Sequence, residues 1–144
     1  MNQIFNNKLD KILYKDTTTI YLEDTDLSGT IYFSKIFQLA HKIFEKFLFI
    51  KNISIEKIIH EFNVLMPVVH AEADYIHRIS LKDEITITVY LNKLGKSSFA
   101  LQYKFENKEN ILATAIITHA TISKESGNSV NIPAMLLLHI KNNN

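Results

Sequence analysis

YLEDTDLSGTIYFSKIFQLAHKIFEKFLF, Tyr21 to Phe49, joins an acidic, glycine-containing turn directly to the strongest helical pattern in the chain. From Tyr32 onward apolar residues recur at Ile36, Ala40, Ile43 and Phe47, flanked by Phe37, Leu39, Phe44 and Leu48. Lys35, Gln38, Lys42, Glu45 and Lys46 occupy the other side, so the spacing predicts a helix from Tyr32 to Phe49 with about half its surface apolar. A helix of this kind needs a sheet to lie on. Its N-terminus opens just past Asp24, Asp26 and Gly29. The first turn of a helix presents unpaired N–H donors and about half a positive charge, which polarise a carbonyl and stabilise an oxyanion. Asp26, a few residues upstream, is placed to act on the same carbonyl carbon as nucleophile or as general base for water. Together they make half of an acyl-transfer site.

Three other readings fit the same residues. Asp24, Asp26, Ser28 and Gly29 occupy positions one, three, five and six of a calcium-binding loop, but position twelve, where a bidentate Glu belongs, is Lys35. Asp and Ser before a helix also serve as caps for its free donors. Two carboxylates and a glycine are equally ordinary in a solvated turn. Spacing alone leaves capping and catalysis open.

Composition narrows the classes. At 144 residues the chain is long enough for one domain with a real core, and residues 1–144 are read as that single domain. A formal charge of +1 offers no field for nucleic acid, and Arg78 is the only arginine, so no nucleic-acid partner is expected. The chain has no cysteine, which excludes disulfides, thiolate metal sites and a thiol nucleophile. The opening MNQIFNNKLDKILYK lacks the apolar run of a signal peptide, and no stretch approaches membrane-spanning length. A cytoplasmic location is the expectation.

Taken in order, residues before Asp16 are mixed and left open, and Thr17 to Leu22 reads as a first strand delivering the acidic turn. After the long helix, Ser54-Ile55-Glu56-Lys57 opens a second, short helix that ends near Phe62, with Asn63 as its stop. From Pro67, Val69, Ala71, Ala73 and Tyr75 alternate with His70, Glu72 and Asp74, as in a strand with one buried face. Ile85, Ile87, Val89 and Leu91, then Phe99, Leu101, Tyr103 and Phe105, form a hairpin about Gly95-Lys96. Ile111 to Ile122 is a further strand, and Ala134 to Ile140 a short closing segment. Strand, long helix, strand, hairpin, strand predicts an α+β fold: an antiparallel sheet wrapped on one helix. One helix covers only one face, so the apolar residues of the second face call for a partner.

The run Asp24-Thr25-Asp26-Leu27-Ser28-Gly29-Thr30-Ile31-Tyr32-Phe33, followed by an amphipathic helix, resembles the signature of hotdog-fold acyl-CoA thioesterases of the 4-hydroxybenzoyl-CoA type. The likeness continues through Met66 to Tyr75, Leu94 to Phe99, His119-Ala120 and Ile132-Pro133, nearly the whole chain. It implies an antiparallel sheet around one central helix and hydrolysis of an acyl-CoA thioester, the substrate's acyl group more fittingly aromatic. By the same resemblance Asp26 is the catalytic carboxylate, the Phe33 backbone N–H binds the thioester carbonyl, and Gly29 allows the tight turn and close approach of substrate. Asp24 would hold the turn. Phe33 and His41, with the segments around His70 and Leu94 to Phe99, are similar to the 1,4-dihydroxy-2-naphthoyl-CoA thioesterase branch. The family implies no cofactor and no metal, a CoA nucleotide resting on a lysine-bearing surface, and a homodimer or homotetramer with sites at the subunit boundary.

His41, one turn from Glu45, fits either a catalytic role or a boundary histidine bonded to a neighbour. His70 and His119 on strands each suit a pocket wall, and three histidines this scattered do not make a metal site. Glu23 and Ser28 depart from the family pattern, and three crowded carboxylates are expected to raise the pKa of one of them. A binder of acyl-CoA or acyl-carrier-protein thioesters, without hydrolysis, is the alternative on the same fold.

Overall fold

The computed structural model describes residues 11–141. Its elements are β1 (Ile12–Thr19), α1 (Lys35–Ile50), α2 (Ile55–His60), β2 (Val64–Leu65), β3 (Val68–Tyr75), β4 (Glu84–Leu94), β5 (Ser98–Glu106), β6 (Ile111–Ala120), β7 (Ile122–Ser123) and α3 (Ala134–Lys141). Five strands form one antiparallel sheet in the order β1-β4-β5-β6-β3, and β2 pairs with β7 in a separate two-stranded piece.

The apolar stripe of α1 decides the packing. Ile36, Leu39, Ala40, Ile43, Phe44, Phe47 and Leu48 are buried, and they meet Ile85, Ile87 and Val89 of β4, Phe99, Leu101, Tyr103 and Phe105 of β5, and Ala113, Ala115 and Ile117 of β6 in one core. Burying each large side chain of this kind contributes about 1.5–3 kcal/mol. A Lys46–Asp16 ion pair at 2.6 Å ties α1 to β1 at the core's margin. The helix ends where Asn52 adopts φ +56° and the Ile53 N–H turns back to Leu48 O at 2.9 Å, closing the last turn. Ser54 then caps α2 by accepting from the Lys57 N–H at 3.1 Å.

Several sequence expectations need correction. The first strand is Ile12–Thr19 and not Thr17 to Leu22, because Leu22–Asp24 coil into a single 3-10 turn. The long helix starts at Lys35, the residues from Tyr32 to Ser34 forming the turn that leads into it. Ile111 to Ile122 is two strands: Thr121 breaks the run, its N–H bonded to Ser97 O and its hydroxyl to Val130 O. The strand β3 has no buried face. Val69 is 61% exposed and Tyr75 48%, and only Ala73 is partly covered, because β3 lies at the sheet's edge beyond the reach of α1. Nor is the second face of the central strands apolar: Thr88, Lys104, Thr114 and Asp74 stand in one cross-strand row, with Tyr90, Gln102, Ile116 and Glu72 in the next.

Tyr103 lies fully inside the core, and its hydroxyl has no hydrogen-bond partner among the described residues. Burial pushes its pKa well above the ordinary phenol value. A buried hydroxyl without a partner costs stability that a phenyl ring does not. Tyr103→Phe is therefore expected to stabilise the protein by about 1 kcal/mol, seen by calorimetry as a rise of roughly 3 °C in Tm. A fall in Tm would show that the hydroxyl is satisfied.

Candidate active site

The acidic turn is a small closed loop. Thr25 and Ile31 form a bridge, the Asp26 N–H donates to Thr30 O at 2.8 Å, and the Gly29 N–H donates back to Asp26 O at 3.1 Å. Gly29 sits at φ +75°, where an added Cβ would meet nothing within 4 Å. What calls for glycine there is the backbone angle and not lack of room.

The two carboxylates, two residues apart, are used differently. Asp24 is buried; one oxygen accepts from the Tyr21 N–H at 2.9 Å, the other pairs with Lys35 Nζ at 3.2 Å, and its carbonyl receives the Tyr32 N–H at 2.8 Å. It holds the end of the first strand, the turn and the start of α1 together. Asp26 is exposed. Its Oδ1 accepts from the Ser28 hydroxyl at 2.6 Å, the Ser28 N–H at 2.8 Å and the Thr30 N–H at 3.3 Å. The Ser28 hydroxyl first, then the backbone donors and the nearby Arg78 charge, hold the Asp26 carboxyl below the usual carboxylate range. Crowding by Glu23 and Asp24 does not raise it, because donors placed directly on its oxygen outweigh like charges at a distance. With separate partners, the two carboxylates do not converge in the manner of a calcium loop.

Phe33 occupies the turn just before α1, and its N–H donates to no acceptor among the described residues. Its carbonyl accepts a hydrogen bond from the Tyr75 hydroxyl at the end of β3. Ser34, the residue before α1, caps nothing with its side chain. Asp26 and Gly29 share the closed turn, and Phe33 follows two residues after its Thr25–Ile31 bridge, just before α1. His41 lies elsewhere, two turns farther along α1, with its ring centroid 5.9 Å from that of His119. His119 is buried on β6, and His70 is exposed, 3.8 Å from Glu72.

Two contributors were not singled out from the sequence. Arg78 donates to Ser28 O at 2.8 Å, bracing the turn from the segment after β3; its only signal is that it is the one arginine. Tyr75 stood within the family-like run, but nothing in its spacing points to Phe33. The turn also lies on open surface, with Leu27 fully exposed, Phe33 63% and Tyr32 51%.

An antiparallel sheet wrapped around one long helix is the hotdog architecture. A family model described as the thioesterase-like superfamily matches residues 20–140, and the chain belongs to that superfamily. It is 30% identical over 112 residues to a protein of Prochlorococcus marinus named 1,4-dihydroxy-2-naphthoyl-CoA hydrolase, covering 73% of this chain and 75% of the relative. It is 26% identical over 125 residues to a protein of the same name from Nostoc punctiforme, covering 87% of this chain and 84% of the relative. The crystal structure of a 1,4-dihydroxy-2-naphthoyl-CoA thioesterase from Synechocystis superposes with a TM-score of 0.84 at 23% identity, covering 90% of this chain and 96% of the other. At that identity the superposition speaks for the fold.

Because the Asp26 pKa is depressed, the carboxylate form persists as pH falls, and is lost only below the ordinary aspartate value of about 3.9. The acid limb of kcat/KM is expected to lie correspondingly low. Ser28→Ala removes the strongest of its donors and should move that limb upward, toward the ordinary value, in a pH–rate profile. An unmoved limb would show that Asp26 does not govern it.

Proposed function

We propose that the chain hydrolyses an aromatic acyl-CoA thioester to the free acid and CoA, with 1,4-dihydroxy-2-naphthoyl-CoA as the foremost candidate substrate. The observation that supports this is one short segment, Asp26 to Phe33, that carries an ionised carboxylate and, just before α1, a backbone N–H with no acceptor among the described residues. The names of the relatives supply the acyl group. The thioester carbonyl oxygen lies at the Phe33 N–H and the start of α1, where developing negative charge is stabilised. Asp26 delivers either its own oxygen or an activated water to the carbonyl carbon. Gly29 gives the turn its shape, Asp24 anchors it, and Arg78 braces it from behind. No cofactor or metal takes part.

In this reading residues 1–144 form one hotdog domain, which works in the cytoplasm as a homodimer or homotetramer. What supports oligomerisation is the uncovered edge: Val68, Val69, Tyr75 and Ile76 at β3 are exposed together with Leu27, Tyr32 and Phe33 around the site. An exposed edge strand with apolar side chains seeks a partner, and a second copy would close the open side of the turn. Among the described residues, no helix is long and apolar enough to cross a membrane.

The deciding assay is steady-state hydrolysis across aromatic, short-chain and long-chain acyl-CoAs, read with a thiol-reactive dye. With no cysteine in the chain, released CoA is the only thiol that reports. Aromatic substrates are expected to turn over fastest. Asp26→Asn should lower kcat by about 10²–10⁴-fold with Tm unchanged; full activity in that variant would exclude the mechanism. Val69→Asp puts a charge on the uncovered edge and should yield a smaller species in light scattering, with activity lost along with the assembly. An active variant of unchanged mass would exclude β3 as the contact.

A further inference from the structure

Among the described residues the backbone of Phe33 makes one hydrogen bond, and its partner is distant in the chain: the Tyr75 hydroxyl donates to the Phe33 carbonyl. The neighbours of Phe33 are held locally. The Tyr32 N–H donates to Asp24 O at 2.8 Å, Tyr32 O receives the Lys35 N–H at 2.9 Å, and Ser34 O receives the Phe37 N–H at 3.1 Å. In a regular helix the Phe37 N–H would reach the carbonyl four residues back, which is that of Phe33. Here it goes to Ser34, so the Phe33 carbonyl stays outside the ladder of α1. The Phe33 side chain is exposed, and its burial does little to fix the backbone in place of those bonds.

Tyr75 itself is anchored in the sheet. It is the last residue of β3, in register with Ala113 of β6, and the next two N–H groups, of Ile76 and His77, both donate to Leu112 O, at 2.9 and 3.0 Å. The chain beyond it grips the other limb of the acidic turn. Arg78 donates to Ser28 O at 2.8 Å, the Ile31 N–H donates to Ile79 O at 2.8 Å, and the Leu81 N–H donates to Gly29 O at 2.9 Å. One segment, Tyr75 to Leu81, therefore holds both limbs of the site, and Tyr75 is the part of it that reaches Phe33. Burial raises the pKa of its phenol above the ordinary value, so the hydroxyl keeps its proton and remains a donor through neutral pH.

We infer that Tyr75 is a positioning residue for thioester hydrolysis: by holding the Phe33 carbonyl it fixes the backbone at Phe33, and with it the direction in which the Phe33 N–H points. The inference rests on the thioesterase reading and adds the group that keeps the electrophilic donor aimed. The planar peptide that carries the Phe33 N–H is tied at its carbonyl end by the Lys35 N–H, and Tyr75 ties the next plane. The two planes that meet at the Phe33 Cα are thus both held. Aim matters because a hydrogen bond weakens steeply as it bends, and a donor already pointing where charge develops needs no reorganisation in the transition state. Tyr75 acts through Phe33 and takes no part in bond breaking.

Tyr75→Phe keeps the ring and removes the hydroxyl. On the acyl-CoA that the wild type turns over fastest, kcat is expected to fall about 10- to 100-fold with KM within about two-fold. The acid limb of the pH–rate profile should stay where it is, because the donors on Asp26 are untouched, whereas Arg78→Ala should move that limb upward. Mass in light scattering should be unchanged and Tm lower by no more than about 3 °C. In ¹⁵N relaxation the amides of Phe33 and Ser34 should broaden in Tyr75→Phe while those of Asp26 to Thr30 do not. Replacing Tyr75 by 4-aminophenylalanine, which keeps a donor at the tip of the ring, should recover most of kcat. Undiminished kcat in Tyr75→Phe, a loss carried by KM or by the acid limb, a larger fall in Tm, a smaller species, or Phe33 signals that stay sharp overturns the inference and leaves the thioesterase reading standing. Broadening of Phe33 specific to Tyr75→Phe, in a protein whose wild type hydrolyses no thioester, would remove the thioesterase reading and leave Tyr75 as the residue that holds Phe33.

Discussion

The burial of α1 in the curve of the sheet is the constraint on which the rest of the molecule depends. Ile36 and Ala40 are wholly out of solvent, Phe47 almost so, and they share one core with residues from four successive strands of the five, β1, β4, β5 and β6. With one helix serving as the core of the whole sheet, its position sets the curvature of the strands and the place where its own N-terminus emerges. That emergence is pinned by Asp24, whose buried carboxylate and carbonyl hold Tyr21, Tyr32 and Lys35 at once. Such a charge is stable out of water only because a lysine and backbone donors meet it.

The same turn shows how environment divides labour between identical side chains. Asp24 and Asp26 are two residues apart, yet one faces the protein with a cationic partner and the other faces solvent with three donors on a single oxygen. The first is a structural pin. The second keeps an ionised oxygen on the exposed side of the turn. Ser28 makes the strongest of the contacts on Asp26, so a departure from the family pattern turns out to be part of what tunes the carboxylate.

Away from the turn, the chain leaves two things unfinished: an edge strand with apolar side chains in water, and a buried imidazole nitrogen with no donor. They are neighbours, since Val68 of the edge strand pairs in register with His119 of β6. A single helix cannot cover five strands, so the margin at β3 stays open.

The sequence by itself determined the local elements and the chemistry of the turn. The 3.6-residue stripe of α1, the alternation of β4 and β5, the Ser54 cap and the Asp26–Gly29 spacing are all encoded by neighbours in the chain, so periodicity and turn chemistry reach them. It did not determine which strands lie at an edge. The pattern of β3 reads as half-buried, yet whether a face is covered depends on what packs against it from elsewhere, and α1 stops short of it. Nor did it reveal that Arg78 braces Ser28, that Tyr75 reaches the Phe33 carbonyl, or that His41 and His119 meet. These contacts join residues 42 to 78 positions apart, and only the wrapping of the sheet around the helix brings them within reach. The pKa of Asp26 is of the same kind: its identity is local, but the Arg78 charge that adds to its donors arrives through the fold.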